Sequence, residues 1–293
     1  MTLRDQILQV LISGISSGSI YAIIGIAIAT VYNVTKIFDV SQGQYMMLGA
    51  MMVCLFRSSG FSVILSIVLA LVISIIAGLL IWRILFYKSS QKLPHLTSIM
   101  ITFGVAMFIE GVAYLFLGTD TRTTPYYLKI APIRIFKATV SPQAPIIYGW
   151  LLVTVLGLFF LFNRTLLGKG LRACHEQLLG ARLVGINPRS MMYFSFFLAV
   201  LVGVAGGIVT VPLTAASYSM GWNLVIKGFL AAIVGGISSF QGVIVGGLIL
   251  GLLESSAAGF ISSSYASIIS LAIFVLALLF RPTGLMGSVE SKV

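Results

Sequence analysis

The sequence predicts an all-α protein, a polytopic transmembrane helical bundle of about eight to ten passes, some of them short or re-entrant, with one short cytoplasmic helix. Three observations carry this. Of the 293 residues, 59% are hydrophobic and only 9% are charged, with a mean hydropathy of +1.09. The apolar residues gather into runs of membrane-spanning length, roughly 20 residues for a ~30 Å hydrocarbon core, inside which each backbone polar group must find its partner within the segment. No polar stretch is long enough for a separate soluble domain, so residues 1–293 read as one transmembrane domain.

The runs fall at 7–31, 44–57, 61–83, 96–117, 146–163, 191–213, 222–236, 240–258 and 265–281. The first lacks a basic leader and a small-residue cleavage site, so it reads as a retained helix rather than a signal peptide. The runs at 44–57 and 222–236 fall short of the usual ~17–25 residues and are expected to be tilted, re-entrant or broken.

Position interprets the net charge of +11. Arg83, Lys88 and Lys92 follow the third run. Arg164, Lys169, Arg172, Arg182 and Arg189 follow the fifth, and Arg281 and Lys292 follow the last. The positive-inside rule puts these ends in the cytoplasm. The loop 118–145 is then external despite Arg122, Lys129, Arg134 and Lys137, and loops obey the rule less strictly as they lengthen. No basic stripe alternates with exposed aromatics, which argues against a nucleic-acid partner. Cys54 and Cys174 sit in an apolar run and an inner segment, so no disulfide framework is expected.

The segment 164–190 is the most polar inner stretch. Helix-compatible residues run from 171 to 183, and Gly185 followed by Asn187-Pro188 is a stop signature. On a helical wheel Leu171, Leu178, Leu179 and Leu183 lie toward one side, with Arg172, Glu176 and Arg182 mostly opposite. Such a helix either rests among lipid headgroups or docks a cytoplasmic partner. His175-Glu176 opens like a zinc-binding H-E-x-x-H, but Leu179 stands where the second histidine belongs and His95 is elsewhere. No metal site and no enzymatic chemistry are expected.

The stretch LRACHEQLLGARLVGIN resembles the cytoplasmic loop of bacterial ATP-binding cassette importer permeases, with Glu176, Ala181 and Gly185 at the spaced positions of the coupling motif. The closest likeness is to the branched-chain amino acid permease family. GSIYAIIGIAIATVYNV is similar to its first helix, QYMMLGA to its second, KGFLAAIVGGISSFQGVIVGGLILGLLE to its late glycine-rich pair, and RPTGLMG to its carboxy-terminal signature.

The resemblance implies a permease subunit of the bacterial inner membrane that imports branched-chain amino acids or related small amides by alternating access. Its implied partners are a second, related but different permease chain, two ATPase subunits, a periplasmic substrate-binding protein and membrane lipid. Lys169, Leu171, Arg172, Glu176, Ala181, Gly185 and Asn187 would couple to the ATPases. The chain lacks a G-x-x-x-x-G-K-[ST] phosphate loop, so it is expected to bind no cofactor itself and to leave ATP and Mg to the ATPase subunits.

The sequence departs from the family between the first two helices, where FDVSQGQ aligns Asp39, Gln42 and Gln44 with a usual Asn, His and Glu. These residues are candidates for the translocation path; the other reading is that Asp39 or Ser41 caps the second helix. Gly14 and Gly18, Gly203 and Gly207, Gly242 and Gly246, and Gly247 and Gly251 repeat at i, i+4, which predicts close helix crossings, with Gly242, Gly246, Gly247 and Gly251 sharing one helix. SQG at Ser41 and SFQG at Ser239 hint at two related halves.

Glu110, Lys227 and Glu254 fall within apolar runs, where a charge at mid-bilayer costs about 2.5–3.5 kcal/mol. Lys227 and Glu254 are near run ends and are expected to snorkel to the membrane edge. Glu110 lies deeper and also belongs to the possible path. A rival reading is a proton-coupled secondary transporter with Glu110 or Glu254 as the proton carrier.

Overall fold

The structure, a computed structural model, describes residues 3–85, 95–128, 130–135, 138–280 and 284–286. Lys88, Lys92, Lys129, Lys137, Arg281, Lys292 and the outer residues of RPTGLMG lie outside the described residues.

Among the described residues, nine apolar helices coincide with the nine predicted runs: α1 (Leu3–Thr35), α2 (Gln42–Ser58), α3 (Val63–Leu85), α4 (His95–Leu117), α5 (Ala144–Arg164), α8 (Pro188–Thr214), α9 (Met220–Gly235), α10 (Phe240–Phe260) and α11 (Ala266–Phe280). Two short helices, α6 (Leu166–Glu176) and α7 (Leu178–Leu183), join α5 to α8. Six of the nine are long and apolar enough to cross a membrane; α2, α9 and α11 have 17, 16 and 15 residues.

Burial sorts the helices into a centre and a periphery. The most apolar windows of α1 and α8 are 72% and 78% buried, against 28%, 28% and 22% for α3, α4 and α5. The peripheral helices expose rows of large apolar side chains, such as Ile64, Val68, Val72, Ile76 and Leu80 on α3, the surface expected of helices whose solvent is lipid.

The bundle has two unlike ends. At one lie the start of α1, the end of α8 and the loop 118–143. This loop contains a two-stranded antiparallel hairpin, β1 (Ile133–Ile135) and β2 (Ala138–Val140), in which Ile133 pairs with Val140. Thr139 N donates to Gln9 Oε1 (2.8 Å), the Tyr127 hydroxyl donates to the Ile208 carbonyl (2.8 Å) and Gln143 Nε2 donates to the Val209 carbonyl (2.6 Å). Burial pushes the Tyr127 phenol up to about 12. The order of this loop comes from these long-range bonds, which no local pattern announces.

At the other end lie α6, α7 and the described cations Arg83, Arg164, Lys169, Arg172, Arg182 and Arg189. The middle of the carboxy-terminal signature also docks here. Leu285 N and Met286 N donate to the Val234 and Gly235 carbonyls, supplying partners to carbonyls that the end of α9 leaves open. Gly284 makes the turn at φ +76°, where an added Cβ would lie 2.6 Å from the Ile233 carbonyl oxygen.

Candidate functional site

At the basic end the sequence predicts one helix over 171–183, and the structure has two. α6 starts earlier, at Leu166, because Thr165 caps it by accepting from Gly168 N at 3.0 Å. It stops at Glu176 because Gln177 is extended, at φ −154° and ψ 107°, and α7 starts afresh on the next residue. The break separates the predicted row of leucines. Leu171 is fully buried, together with Cys174, whose thiol burial pushes up. Leu178, Leu179, Leu183 and Val184 are exposed, Leu183 at 89%.

The end of α7 follows the predicted stop. Gly185 adopts φ +81°, and Gly185 N and Ile186 N donate to the Arg182 and Ala181 carbonyls at 3.1 and 2.9 Å, the paired bonds of a Schellman motif. Asn187 then caps α8, its Oδ1 accepting from Arg189 N at 3.0 Å, with Pro188 in the first turn. Of the predicted coupling residues, Leu171 and Ala181 are buried anchors, whereas Lys169, Arg172, Glu176, Gly185 and Asn187 are exposed. α6 is fastened to the bundle by His175 Nδ1–H, which donates to the Asn33 carbonyl of α1. Beside it, a groove of about 740 Å³ is lined by Arg172, His175 and Glu176 at one end and by Val155, Phe159 and Ile244 at the other.

The connection between α1 and α2 folds back into the bundle. Val40 N donates to Thr102 Oγ1 of α4 at 3.3 Å, and the Gln42 carbonyl faces Gly203, about midway along α8. The shortness of α2 follows, because it starts inside the bundle, in the manner of the discontinuous helices of transporters. Ser41 occupies the N-cap position but makes no side-chain cap bond. Asp39 is buried, and instead accepts from Ser41 N (3.0 Å), Ser41 Oγ (2.5 Å) and Gln42 Nε2 (2.6 Å). Its carboxylate is thus met by three donors, while the buried Gln44 side chain finds no polar partner among the described residues and abuts Gly221 of α9.

Lys227 and Glu254 do not snorkel apart. They form a salt bridge of 2.6 Å between α9 and α10. The Tyr21 hydroxyl of α1 donates to Glu254 Oε2 at 2.6 Å, the Ser267 hydroxyl of α11 donates to Oε1 at 2.6 Å, and Lys227 Nζ also donates to Tyr21 at 3.0 Å. Pairing spares each charge the journey to the membrane edge that either helix standing alone would impose on it. Glu110 of α4, half-buried, accepts from Trp222 Nε1 of α9. Asp39 and Gln42 are bonded to each other; Gln44, two residues on, turns instead to Gly221 of α9, the residue before the Trp222 that holds Glu110.

The glycines of α10 meet two neighbours. A Cβ on Gly242 or Gly246 would collide with the Gly235 or Ala231 carbonyl of α9. One on Gly247 would lie 2.7 Å from Ala22 N of α1, and one on Gly251 would fall on Gly18 N and the Gly14 carbonyl. Gly207 and Gly49 make a second close crossing, between α8 and α2.

Residues 10–278 match the family described as the branched-chain amino acid transport system permease component. The chain belongs to this family. The permease component from this family that it resembles in Salmonella typhimurium, the high-affinity branched-chain amino acid transport system permease protein LivH, is 27% identical over 97% of this chain and 96% of the relative. BraD of Pseudomonas aeruginosa, of the same description, is 28% identical over the same shares. A chain of PsaBC from Streptococcus pneumoniae in complex with Fab superimposes with a TM-score of 0.53 at 13% identity, covering 94% of this chain and 92% of that one, a likeness of fold. The proton-coupled carrier finds no support among these likenesses, and both of its proposed carboxylates are engaged, Glu110 by Trp222 and Glu254 by Lys227, Tyr21 and Ser267.

Proposed function

We infer that this chain is the transmembrane subunit of a binding-protein-dependent importer that moves branched-chain amino acids or related small amides across the bacterial inner membrane by alternating access. The near full-length match to the permease family carries this reading. The basic end is cytoplasmic, as the positive-inside rule requires. There the exposed Leu178, Leu179, Leu183 and Val184 of α7 and its end, flanked by Arg182 and Glu176, offer an apolar edge for an ATPase subunit to grip. This chain contributes no nucleotide site. ATP and Mg act in two ATPase subunits, whose closure α6 and α7 pass to α1 through the His175 bond and to α8 through Asn187.

The loop end faces outward and receives a periplasmic binding protein, its hairpin and pinned residues giving that protein a fixed surface. A second, related permease chain completes the path, and lipid surrounds the remaining faces. The buried Asp39, Gln42 and Gln44, at the start of a helix that begins within the bundle, are the candidate inner segment of the path. The test is co-expression with the neighbouring transport genes, reconstitution into liposomes, and uptake of labelled leucine. ATP-dependent uptake that needs the binding protein supports the reading; uptake driven by a proton gradient without ATPase subunits overturns it.

A further inference from the structure

The groove of about 740 Å³ beside α6 opens on the side of the bundle, between α5 and α10. Its floor is closed by Val34 of α1, Leu158 of α5 and Leu171 of α6, all buried. Phe162 of α5 and Phe240 of α10 meet at its inner end, ring centroids 5.3 Å apart, and from there it follows α5 to Val155, with Ile244 of α10 opposite. Leu156 and Phe159 on its rim are exposed. From Asn163 to Val155 the helix rises about 12 Å, against about 15 Å for one leaflet, half of a ~30 Å hydrocarbon core. The groove therefore spans most of the cytoplasmic leaflet, with its polar end at the level of the headgroups.

That polar end is only partly satisfied by the protein. Arg172 and Glu176 stand four residues apart on α6, neighbours on one helix face, yet they do not pair. Arg172 Nη2 donates to Asn163 Oδ1, which uses one of the five guanidinium N–H groups. Glu176 has neither an ion pair nor a hydrogen bond among the described residues. Asn33 of α1, 7% exposed, belongs to the same wall, and its Oδ1 has no donor among the described residues.

We propose that this groove holds an acyl chain of a phospholipid whose headgroup joins a phosphate to a primary ammonium, as a resident lipid of the cytoplasmic leaflet. The apolar length takes the chain. Arg172 takes the phosphate as a charge-assisted fork, helped by the first turn of α10 at Ser239 and Gln241. Glu176 accepts from the ammonium, and the headgroup supplies the donor that Asn33 lacks. The described lining carries one arginine and one carboxylate, so a headgroup of no net charge suits it. An anionic lipid sets its surplus charge against Glu176, and a quaternary ammonium has no N–H to give. The lipid's place is independent of what the importer carries.

The experiment uses the full-length chain in phosphatidylcholine vesicles with a trace of phosphatidylethanolamine bearing a diazirine in its acyl chain. After irradiation the labelled segments are mapped, and phosphatidylcholine and phosphatidylglycerol carrying the same chain are compared. The expected result is labelling concentrated on α5 around Phe159 and on α10 around Ile244, about tenfold stronger from the ethanolamine lipid than from the other two. Labelling no stronger there than on the exposed α3 row at Ile64 and Val72 overturns the site, as does equal labelling by the choline lipid or preference for the glycerol lipid. Ile244→Trp, which fills the groove, should reduce its labelling to the level of α3. Glu176→Gln, an exposed change that spares the fold, should erase the preference for ethanolamine over choline; an unchanged ratio overturns the headgroup assignment. In native membranes, benzoylphenylalanine in place of Phe159 should capture phospholipid, and capture of a protein chain instead gives the groove to a subunit contact.

Discussion

Gly251 of α10 rests on Gly18 of α1 so closely that a Cβ on Gly251 would occupy the space of the Gly18 amide nitrogen. The reverse substitution fares no better, since a Cβ on Gly18 would lie 2.7 Å from Leu248 Cα and 2.9 Å from the Gly247 carbonyl oxygen. Lipid gives helices no hydrophobic reason to associate, so contact of this kind between bare backbones is a main source of cohesion in a membrane bundle.

Gly246→Leu should therefore cost about 1–3 kcal/mol by overpacking, because its Cβ would meet the Ala231 carbonyl and Gly235 N and Cα rather than yielding side chains. Gly149→Leu, at a position with open space around it, should change little. Thermal unfolding in detergent compares the two; equal midpoints would show that α10 tolerates bulk on this face.

At the basic end, Glu176→Ala and Gly185→Trp should leave the bundle folded and reduce the coupling of ATP hydrolysis to uptake. Gly185 sits at φ +81°, where an L side chain costs about 1–2 kcal/mol, and the strain falls on the turn that aims α7. The ratio of leucine moved to ATP hydrolysed is the readout, and an unchanged ratio in both variants removes α7 from the drive.

Thr123→Cys should react with an impermeant maleimide from outside. The native Cys54 and Cys174 give a low background, since both are buried, and burial raises the Cys174 pKa and starves it of thiolate. Labelling from the cytoplasmic side alone would invert the orientation.

Lys227→Met alone should lower stability more than the double change with Glu254→Gln, because the single variant leaves the Glu254 charge only the Tyr21 and Ser267 hydroxyls, a cost below the ~3–5 kcal/mol of a wholly uncompensated buried charge. Detergent unfolding of the single and double variants makes the comparison. A double variant no better than the single one would mean that the bridge contributes nothing.

The nine apolar helices were legible because the membrane leaves an unpaired backbone no cheap alternative, so the length of an apolar run is nearly the length of a helix. The turn at Gly185 and the cap at Asn187 were legible because φ and hydrogen-bond chemistry restrict those positions to a few residue types. The break at Gln177 was not, since neither glycine nor proline marks it and it follows from how α6 beds down on the bundle. The tie between Lys227 and Glu254 was hidden for another reason. Each residue taken alone looks like a helix-end charge, and only the packing of α9 on α10 makes them one group. The path candidates divided in the same way: Asp39 and Gln42, three apart in the chain, stay together, whereas Gln44 faces Gly221 and Glu110 is claimed by Trp222, partners that only the fold supplies.

The same salt bridge bears on biogenesis. The ribosome releases α9 before α10, and α9 is a 16-residue helix with a lysine near its centre, a weak candidate for lateral release into lipid by itself. Glu254 arrives only with the later part of α10. Retention of α9 in the translocation channel until α10 emerges lets the two leave as a hairpin with their charges already matched, and Gly235 and Gly242 are small enough to let its two arms close face to face. A truncated nascent chain that ends before Glu254 would hold α9 at the channel mouth.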